Sequence, residues 1–154
     1  MSENWQQGIH TLLRKSSVSF LATQGSDGPE TSMAPYAVFN GLILLHLSSL
    51  AKHRHNIEQN SHIGLMICSP ESELVSPLSL PRLSMQGDIT DVCEERFVVA
   101  KEAYLKKIPD AEPLFGFADF RLFEFTPKQI NWVGGFGKAR MVSSMQWQEL
   151  SRSN

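Results

Sequence analysis

The stretch SSLAKHRHN, residues 48–56, gathers serine, lysine, arginine, histidine and asparagine side chains directly behind the apolar run GLILLHL. Histidine is a frequent metal ligand, so the pair His53 and His55 suggests a metal site. On a helix, however, positions two apart lie about 200° apart around the axis, and chelating pairs are spaced i, i+4. Because the flanking Leu50 and Ile57 fit a helix, we expect no metal site here.

The same stretch also fits an anion site. Four polar residues share one helical face because they are spaced i, i+3, i+4 and i+7: Ser49, Lys52, His53 and Asn56. The serines occupy the place of a helix N-cap, where backbone N–H groups, a hydroxyl, an ammonium and an imidazole would meet, as in phosphate sites. The alternative is a capped surface helix with a solvated polar face, and this stretch alone leaves both open.

The segments before this stretch predict a helix and three strands. A helix is predicted over residues 3–15, where apolar residues recur on one face. SSVSFLAT and ETSMAPYAV predict strands joined by the turn cluster QGSDGP, and the Asn40–Gly41 pair predicts a tight turn into LILLHLS. Pro35 lies inside the second of these strands, so we expect an edge or a bulge there.

The segments after it continue the pattern. A helix is predicted over 50–59, a strand in HIGLMICS, a loop over 69–81 and an amphipathic helix over 93–108, before Pro109. RLSMQGDIT, residues 82–90, alternates polar and apolar residues, which is typical of a strand with one solvated face. FADFRLFEFTP and QINWVGGFGKARMV predict the last strands, and Ser144 is expected to cap a helix over 145–150. Tight turns and few helices predict a mainly β protein with flanking helices, built as an antiparallel barrel.

Composition narrows the class of protein. With 154 residues and 42% apolar content, the chain fits one domain spanning residues 1–154. A net charge of −2 argues against a dedicated nucleic-acid partner. We expect Cys68 and Cys93 to be buried thiols, in keeping with a reducing compartment. Neither a signal peptide nor a membrane-spanning apolar run is evident, so we expect a cytoplasmic protein that does not contact a membrane.

In the order and spacing of these segments the chain resembles the FMN-binding split-barrel superfamily, the family of pyridoxamine 5′-phosphate oxidase. The segments that carry the resemblance lie between residues 10 and 142: FLATQGSDGPETSMAPYAV, GLILLHLSSLAKHRHNIEQNSHIGLMI, PRLSMQGDIT and WVGGFGKARMV. The haem-utilisation (HugZ-like) branch is the most similar, since it shares the strand ending in serine, the Ala-Lys/Arg-His-x-x-Asn helix start, the Arg-Leu-Thr/Ser strand and the late Gly-Phe-Gly-x-Ala. The resemblance implies an antiparallel split β-barrel.

The resemblance also implies where FMN would bind, and the implied residues fall in three groups. The second strand, which contacts the flavin in the family, contributes Ser32, Met33, Ala34, Pro35 and Tyr36. The phosphate would lie at the following strand end and helix start, at Ser48, Ser49, Lys52, His53 and Asn56. Arg82 occupies the place of a flavin-contacting glutamine, and Gly135, Phe136 and Lys138 are expected to reach the cofactor from the second subunit of a homodimer.

The main hypothesis is therefore a dimeric FMN-dependent oxidoreductase with a small-molecule redox partner and no assigned catalytic residue. Met33 and Val38 replace the Arg and Lys of true pyridoxamine-phosphate oxidases, so that reaction is not expected. The alternative is a haem-binding or haem-degrading HugZ-like protein. The iron-ligating histidine of that branch follows the Gly-Phe-Gly segment, and we expect it to be missing, since the last histidine here is His62. A second alternative is a non-catalytic dimeric module.

Overall fold

A single antiparallel sheet organises the computed structural model, which describes residues 4–152. Its strands are β1 Val18–Gly25, β2 Gly28–Pro35, β3 Ala37–Phe39, β4 Leu42–Ser48, β5 His62–Cys68, β6 Arg82–Asp91, β7 Phe120–Val133 and β8 Ala139–Val142. They lie in the order β2-β1-β5-β6-β7-β4-β3, and β8 pairs with the end of β7. The sheet curls until β2 contacts β4. The predicted antiparallel split barrel is confirmed.

Helices flank this sheet. They are α1 Trp5–Lys15, α2 Lys52–Gln59, α3 Glu94–Lys107 and α4 Ser144–Arg152, with short 3-10 helices at Pro77–Ser79 and Pro109–Gly116. Helix α1 was predicted from residue 3, which lies outside the described residues. Ser143 rather than Ser144 caps α4, because its hydroxyl accepts from the Gln146 N–H while the Gln146 amide oxygen accepts from the Ser143 N–H. No helix within residues 4–152 has the length and apolarity needed to cross a membrane.

Alternation along β6 follows the prediction. Leu83, Met85 and Ile89 are buried, whereas Ser84 and Gln86 are exposed. The pairing of β6 with β7 shifts register after Gln86. The predicted second strand instead divides at Tyr36, because its backbone N–H leaves the sheet edge and donates to the Ser17 carbonyl at 3.1 Å.

Two prolines lie where the sheet tolerates them. Pro35 ends β2, an edge strand, so the expectation of an edge or bulge is confirmed. Pro127 lies within β7, which is one continuous strand rather than the two predicted segments. It stands opposite Gly87 at the register shift, and it lies between the stretches of β7 that pair with β4 and with β8. Such an irregularity in the pairing is a position at which a strand tolerates proline.

The turn between β3 and β4 also follows the prediction. Asn40 and Gly41 have φ values of 50° and 79°, as a two-residue hairpin turn requires. The expectation for the cysteines is wrong for Cys93, which is exposed at the start of α3, while Cys68 is half-buried.

Strand β4 is buried on both faces. Ile43, Leu45 and Leu47 join the main core inside the barrel, and Leu44 packs into a second cluster with Tyr104 of α3. Apolar side chains on both faces of one strand require two layers of cover, and the second layer is α3 with the following 3-10 helix.

His46 is the polar residue of this second layer. Its ring stacks on Phe115 at 3.8 Å between centroids and lies 5.0 Å from the Phe120 ring. Its Nδ1 is buried and has no hydrogen-bond partner among the described residues. Burial, and secondarily the nearby Lys101 ammonium, lower the pKa of His46 from 6.5 to about 4. The ring is therefore neutral at pH 7.

Helix α2 is held by a buried arginine. The Nη1 of Arg54 donates to the carbonyls of Leu47 at 3.2 Å and Asp119 at 3.0 Å, and its Nε donates to Glu58. The guanidinium also lies 5.3 Å from the centroid of the Phe123 ring. These contacts join α2 to the end of β4 and to the segment that enters β7, and so they fix the orientation of the polar face of α2.

We expect Arg54→Met to lower the free energy of unfolding by about 2–4 kcal/mol, because two buried carbonyls would lose a charged donor. Arg121→Met is the matched control, since Arg121 pairs with Asp91 at the surface and should cost less than about 1 kcal/mol. Urea unfolding followed by circular dichroism measures both. Equal losses for the two variants would contradict the role of Arg54.

We expect His46→Phe to remove part of the acid sensitivity of folding. The unfolded chain takes up a proton at this histidine below pH 6.5 and the folded chain only below about pH 4, so stability falls as the pH drops through that window. The difference amounts to at most about 3 kcal/mol. Unfolding midpoints at pH 5 and 7 should differ less in His46→Phe than in the wild type, whereas the exposed control His55→Gln should behave as the wild type does.

Candidate functional site

Helix α2 begins two residues later than the predicted helix. Ala51 is the N-cap residue and makes no side-chain capping bond. The Ser48 hydroxyl donates to Asp119 Oδ2 at 2.7 Å and accepts from the Leu50 N–H at 3.1 Å. The Ser49 N–H donates to the Asp119 carbonyl. The expectation that the serines cap the helix is therefore wrong, because they complete the turn that leaves β4.

The polar face of α2 lies against β1 and β2. His53 Nδ1 and Ser32 Oγ share a hydrogen bond of 2.9 Å. Asn56 Nδ2 donates to Thr23 Oγ1 and to Glu30 Oε1, both at 3.0 Å. Lys52 Nζ lies 3.3 Å from Glu30 Oε2. We call this group the α2–β2 cluster, and its members are Glu30, Ser32, Lys52, His53 and Asn56.

Glu30 changes the electrostatics of the α2–β2 cluster. The hydrogen bond from Asn56 and then the contact with Lys52 lower the pKa of Glu30, so its carboxylate is ionised at neutral pH. Burial lowers the pKa of His53, which favours the neutral imidazole. One ammonium and one carboxylate therefore balance each other. A phosphate at Lys52 and Asn56 would compete with an internal anion that already contacts both.

Sequence reasoning missed Glu30, although a signal was available. Residues two apart on a strand face the same side, so Glu30 lies on the face of β2 that carries Ser32. A cleft of about 490 Å³ opens beside the cluster, between the β1–β2 turn and α2, and its lining includes Gln24, Glu30, Lys52 and Asn56. This cleft is polar, which suits a hydrated ligand better than a flat apolar one.

The remaining residues predicted on β2 point in different directions. Ala34 and Tyr36 are buried in the core, and the Tyr36 hydroxyl donates to the Ser16 carbonyl at 3.0 Å. Burial raises the pKa of Tyr36 to about 12, so this phenol remains protonated. Met33 faces solvent on the opposite side of the strand from Ser32. Only Ser32 of this predicted group joins the α2–β2 cluster.

The residues predicted later in the chain form a second group. Arg82 begins β6, pairs with Val133 of β7 and donates to the Leu80 carbonyl. Gly135, Phe136 and Lys138 lie in the β7–β8 turn just beyond Val133, where Gly135 has a φ of 150°. Strands β1 and β5 lie between this group and β2. Within one chain, the predicted site residues are therefore divided between two places.

A third feature was not predicted as a unit. The register of the strands aligns one residue from each of six strands into a row across the solvent-facing side of the sheet, which we call the outer row: Met33, Phe20, Met66, Ser84, Asn131 and Met141. Met33, Phe20 and Met141 are 56%, 45% and 61% exposed. Ala22 and Gly64 lie next to the row and leave the surface flat. Phe20 and Met33 are neighbours and Met141 lies beyond Ser84 and Asn131, and exposed large apolar side chains on one face are typical of an interaction surface.

Potential metal ligands are dispersed among residues 4–152. No three His, Cys, Asp or Glu side chains there are close enough together to hold a metal ion. The site features available for chemistry are therefore the α2–β2 cluster, the group at Arg82 and the β7–β8 turn, and the outer row.

Comparison with known proteins shows that the chain is similar to haem proteins. The heme oxygenase HutZ of Vibrio cholerae is 28% identical over 132 residues, which cover 80% of this chain and 72% of HutZ. The chloroplastic non-canonical heme oxygenase HOZ of Arabidopsis thaliana is 30% identical over 139 residues, which cover 88% of this chain but only 42% of HOZ. The structure of a heme binding protein from Mycobacterium smegmatis superposes with a TM-score of 0.87 at 22% identity, covering 97% of this chain and 62% of that one.

The resemblance to the split-barrel superfamily and to its haem-utilisation branch is thereby confirmed. The family described as CREG, beta-barrel matches residues 10–149. Because this match takes in all eight strands and most of the flanking helices, the chain belongs to the CREG beta-barrel family.

Proposed function

We propose that this protein binds haem, and that the outer row supplies the surface for the macrocycle. The observation that carries the proposal is the exposed apolar pair Met33 and Phe20 beside the small residues Ala22 and Gly64 on the solvent-facing side of the sheet. A porphyrin is a planar apolar body, and its burial against such a surface is driven by the hydrophobic effect. The polar cleft beside the α2–β2 cluster lacks a comparable surface.

Haem also requires charge and iron ligands. Its propionates call for cations, and Arg82 lies on the outer face two residues along β6 from Ser84 of the outer row. The thioethers of Met33, Met66 and Met141 are candidate iron ligands on the same face, and sulfur ligands suit haem iron. Bound haem would supply the redox chemistry, while these residues would position it and tune its potential.

The named activities of two relatives point the same way. HutZ and HOZ are both named heme oxygenases, and each matches at least four fifths of this chain. We propose haem degradation as the activity of the bound state, dependent on dioxygen and on an external reductant as the redox partner. The chain spans only 42% of HOZ, so the comparison does not cover the residues in the rest of that protein.

FMN is the second candidate ligand. Its support is the helical face of Lys52, His53 and Asn56, which faces β2 beside Ser32 as the resemblance implied. Against it stands the Glu30 carboxylate, which already contacts Lys52 and Asn56. A phosphate would have to displace this internal ion pair, so we rank FMN below haem.

We also propose a homodimer in which the outer rows of two copies face each other with the cofactor bound between them. Three exposed large apolar side chains and their small neighbours form a surface that a second copy could cover without unpaired charges. A dimer would bring Phe136 and Lys138 of one copy toward the outer face of the other, which would reunite the two groups of predicted residues. Cytoplasmic location and the absence of nucleic-acid and membrane partners remain part of this proposal.

We expect purified protein to bind haem with a saturable Soret band, and Phe20→Asp to weaken that binding at least about tenfold, because a charge would enter the apolar strip. Leu74→Asp is the matched control, since Leu74 is an exposed leucine in the loop between β5 and β6. Haem titration followed by absorbance measures both. Equal weakening by the two substitutions would contradict binding at the outer row.

An FMN titration discriminates the two ligands. If FMN binds at the α2–β2 cluster, Glu30→Gln should strengthen its binding by removing a like charge, and Lys52→Ala should weaken FMN more than riboflavin. Under the haem proposal, neither substitution changes haem affinity by more than about twofold. Tight FMN binding by a wild-type protein that does not bind haem would overturn the ranking.

The dimer has its own test. Phe20→Lys together with Met141→Lys should convert the dimer to a monomer, because like charges would face each other across the two-fold axis. Analytical ultracentrifugation measures the mass, and Leu74→Lys provides the control for an added surface charge. A wild-type protein that sediments as a monomer with and without haem would contradict the proposed assembly.

A further inference from the structure

A cleft of about 320 Å³ lies between α1 and the end of the sheet where β5 and β7 finish and β6 begins. One wall is the polar face of α1, and the other is formed by segments that adjoin the sheet end; the lining includes Gln7, Gly8, Thr11, Lys15, Trp132 and Gly134. Residues 4, 8, 11 and 15 share one helical face, and Ile9 and Leu13 of the same helix are buried in the core. No residue of the outer row or of the α2–β2 cluster lines this cleft.

The indole of Trp132 forms the base of the cleft. Trp132 is only 3% exposed, and its Nε1–H is not among the fully enclosed polar atoms of residues 4–152 that lack a partner, so it keeps contact with solvent through the cleft. By contrast, the buried indole of Trp147 donates to the Gly41 carbonyl at 2.8 Å. An indole N–H that opens onto a cleft is available to an acceptor supplied from outside the chain.

Two glycines keep this edge of the indole uncovered. A Cβ on Gly8 would lie 2.8 Å from Trp132 Cζ2, and a Cβ on Gly134 would lie 3.1 Å from Nε1. Glycine is unfavourable within a helix, so Gly8 in the middle of α1 calls for a local reason, and the close approach to Trp132 provides one. Any larger residue at either position would crowd the N–H and the ring edge.

The charge in the lining of the cleft is positive only. Lys15 in the last turn of α1 is the one charged residue of the lining, and Thr11 and Ser69 add hydroxyls that can donate. Leu12 and Pro81 supply apolar contact beside the indole. An ammonium, an indole N–H and hydroxyls around a partly apolar cleft favour an anion with oxygen acceptors on a small apolar body.

We infer that this cleft binds a small organic carboxylate, whose oxygens accept from the Trp132 N–H and pair with Lys15 while its apolar part packs between Leu12 and Pro81. This site is separate from the haem surface and does not depend on it. The volume of the cleft suits a molecule of about the size of benzoate.

Titration of the protein with benzoate, followed by the ¹H–¹⁵N signals of the Trp132 indole and of the Gly8 and Gly134 amides, tests the inference. We expect saturable shifts at these three groups, with a Kd of about 1 mM. Benzamide, which is neutral and has the same ring, should bind about threefold to fivefold more weakly. Lys15→Met should weaken benzoate by the same factor and leave benzamide unchanged.

Arg14→Met is the matched control, since Arg14 is exposed on α1 and does not line the cleft. It should leave benzoate affinity unchanged. Trp132→Phe removes the N–H and keeps an aromatic ring, so benzoate affinity measured at Gly8 and Gly134 should fall about fivefold. Shifts that do not saturate, equal affinity for benzoate and benzamide, or equal effects of Lys15→Met and Arg14→Met would overturn the inference.

Discussion

Strand β4 carries apolar side chains on both faces, so the chain has to cover it twice. The inner face closes the barrel core, and the outer face requires α3 and the following 3-10 helix. These elements are therefore committed to one side of the barrel, over β3, β4 and β7. The solvent-facing side of β1, β5 and β6 receives no helix from that layer, and the outer row is exposed there as a consequence.

The buried polar side chains Arg54 and His46 are stabilised without access to solvent, the first by hydrogen bonds and the second by remaining uncharged. Arg54 is buried but satisfied by two carbonyls and by Glu58, and this bonding orients α2. His46 is held neutral between aromatic rings. At the surface, in the α2–β2 cluster, the Glu30 carboxylate pairs with the exposed Lys52 ammonium. The Glu30 carboxylate repels a phosphate and so weakens its binding at the cluster. This is the physical reason for ranking haem above FMN.

The two proposed binding sites, the outer row and the cleft at Trp132, favour different ligands. The outer row offers area and apolarity, so its ligand should be large, flat and sensitive to introduced charge. The cleft at Trp132 offers one indole N–H donor and one ammonium in a small volume, so its ligand should be small and anionic. The two surfaces share no residue and lie on opposite faces of β7, where Asn131 belongs to the outer row and Trp132 lines the cleft, so substitutions in one should leave the other intact.

The local patterns of the chain were sufficient for several conclusions. Period-two alternation identified β6, the Asn40–Gly41 pair identified its hairpin, and the i, i+3, i+4, i+7 spacing placed Lys52, His53 and Asn56 on one face of a helix. These are local properties, determined by backbone geometry over a few residues. The order of the segments added the superfamily, and with it the split barrel.

The tertiary structure alone decided which residues each helix or strand face contacts. Glu30 meets Lys52 and Asn56 because β2 returns alongside α2, and no pattern within either segment contains that pairing. The alignment of Met33, Phe20, Met66 and Met141 depends on the register of strands far apart in the chain. The sequence by itself determined which residues share a face, and the tertiary structure decided which faces meet, because charge balance and surface continuity arise from contacts between distant segments.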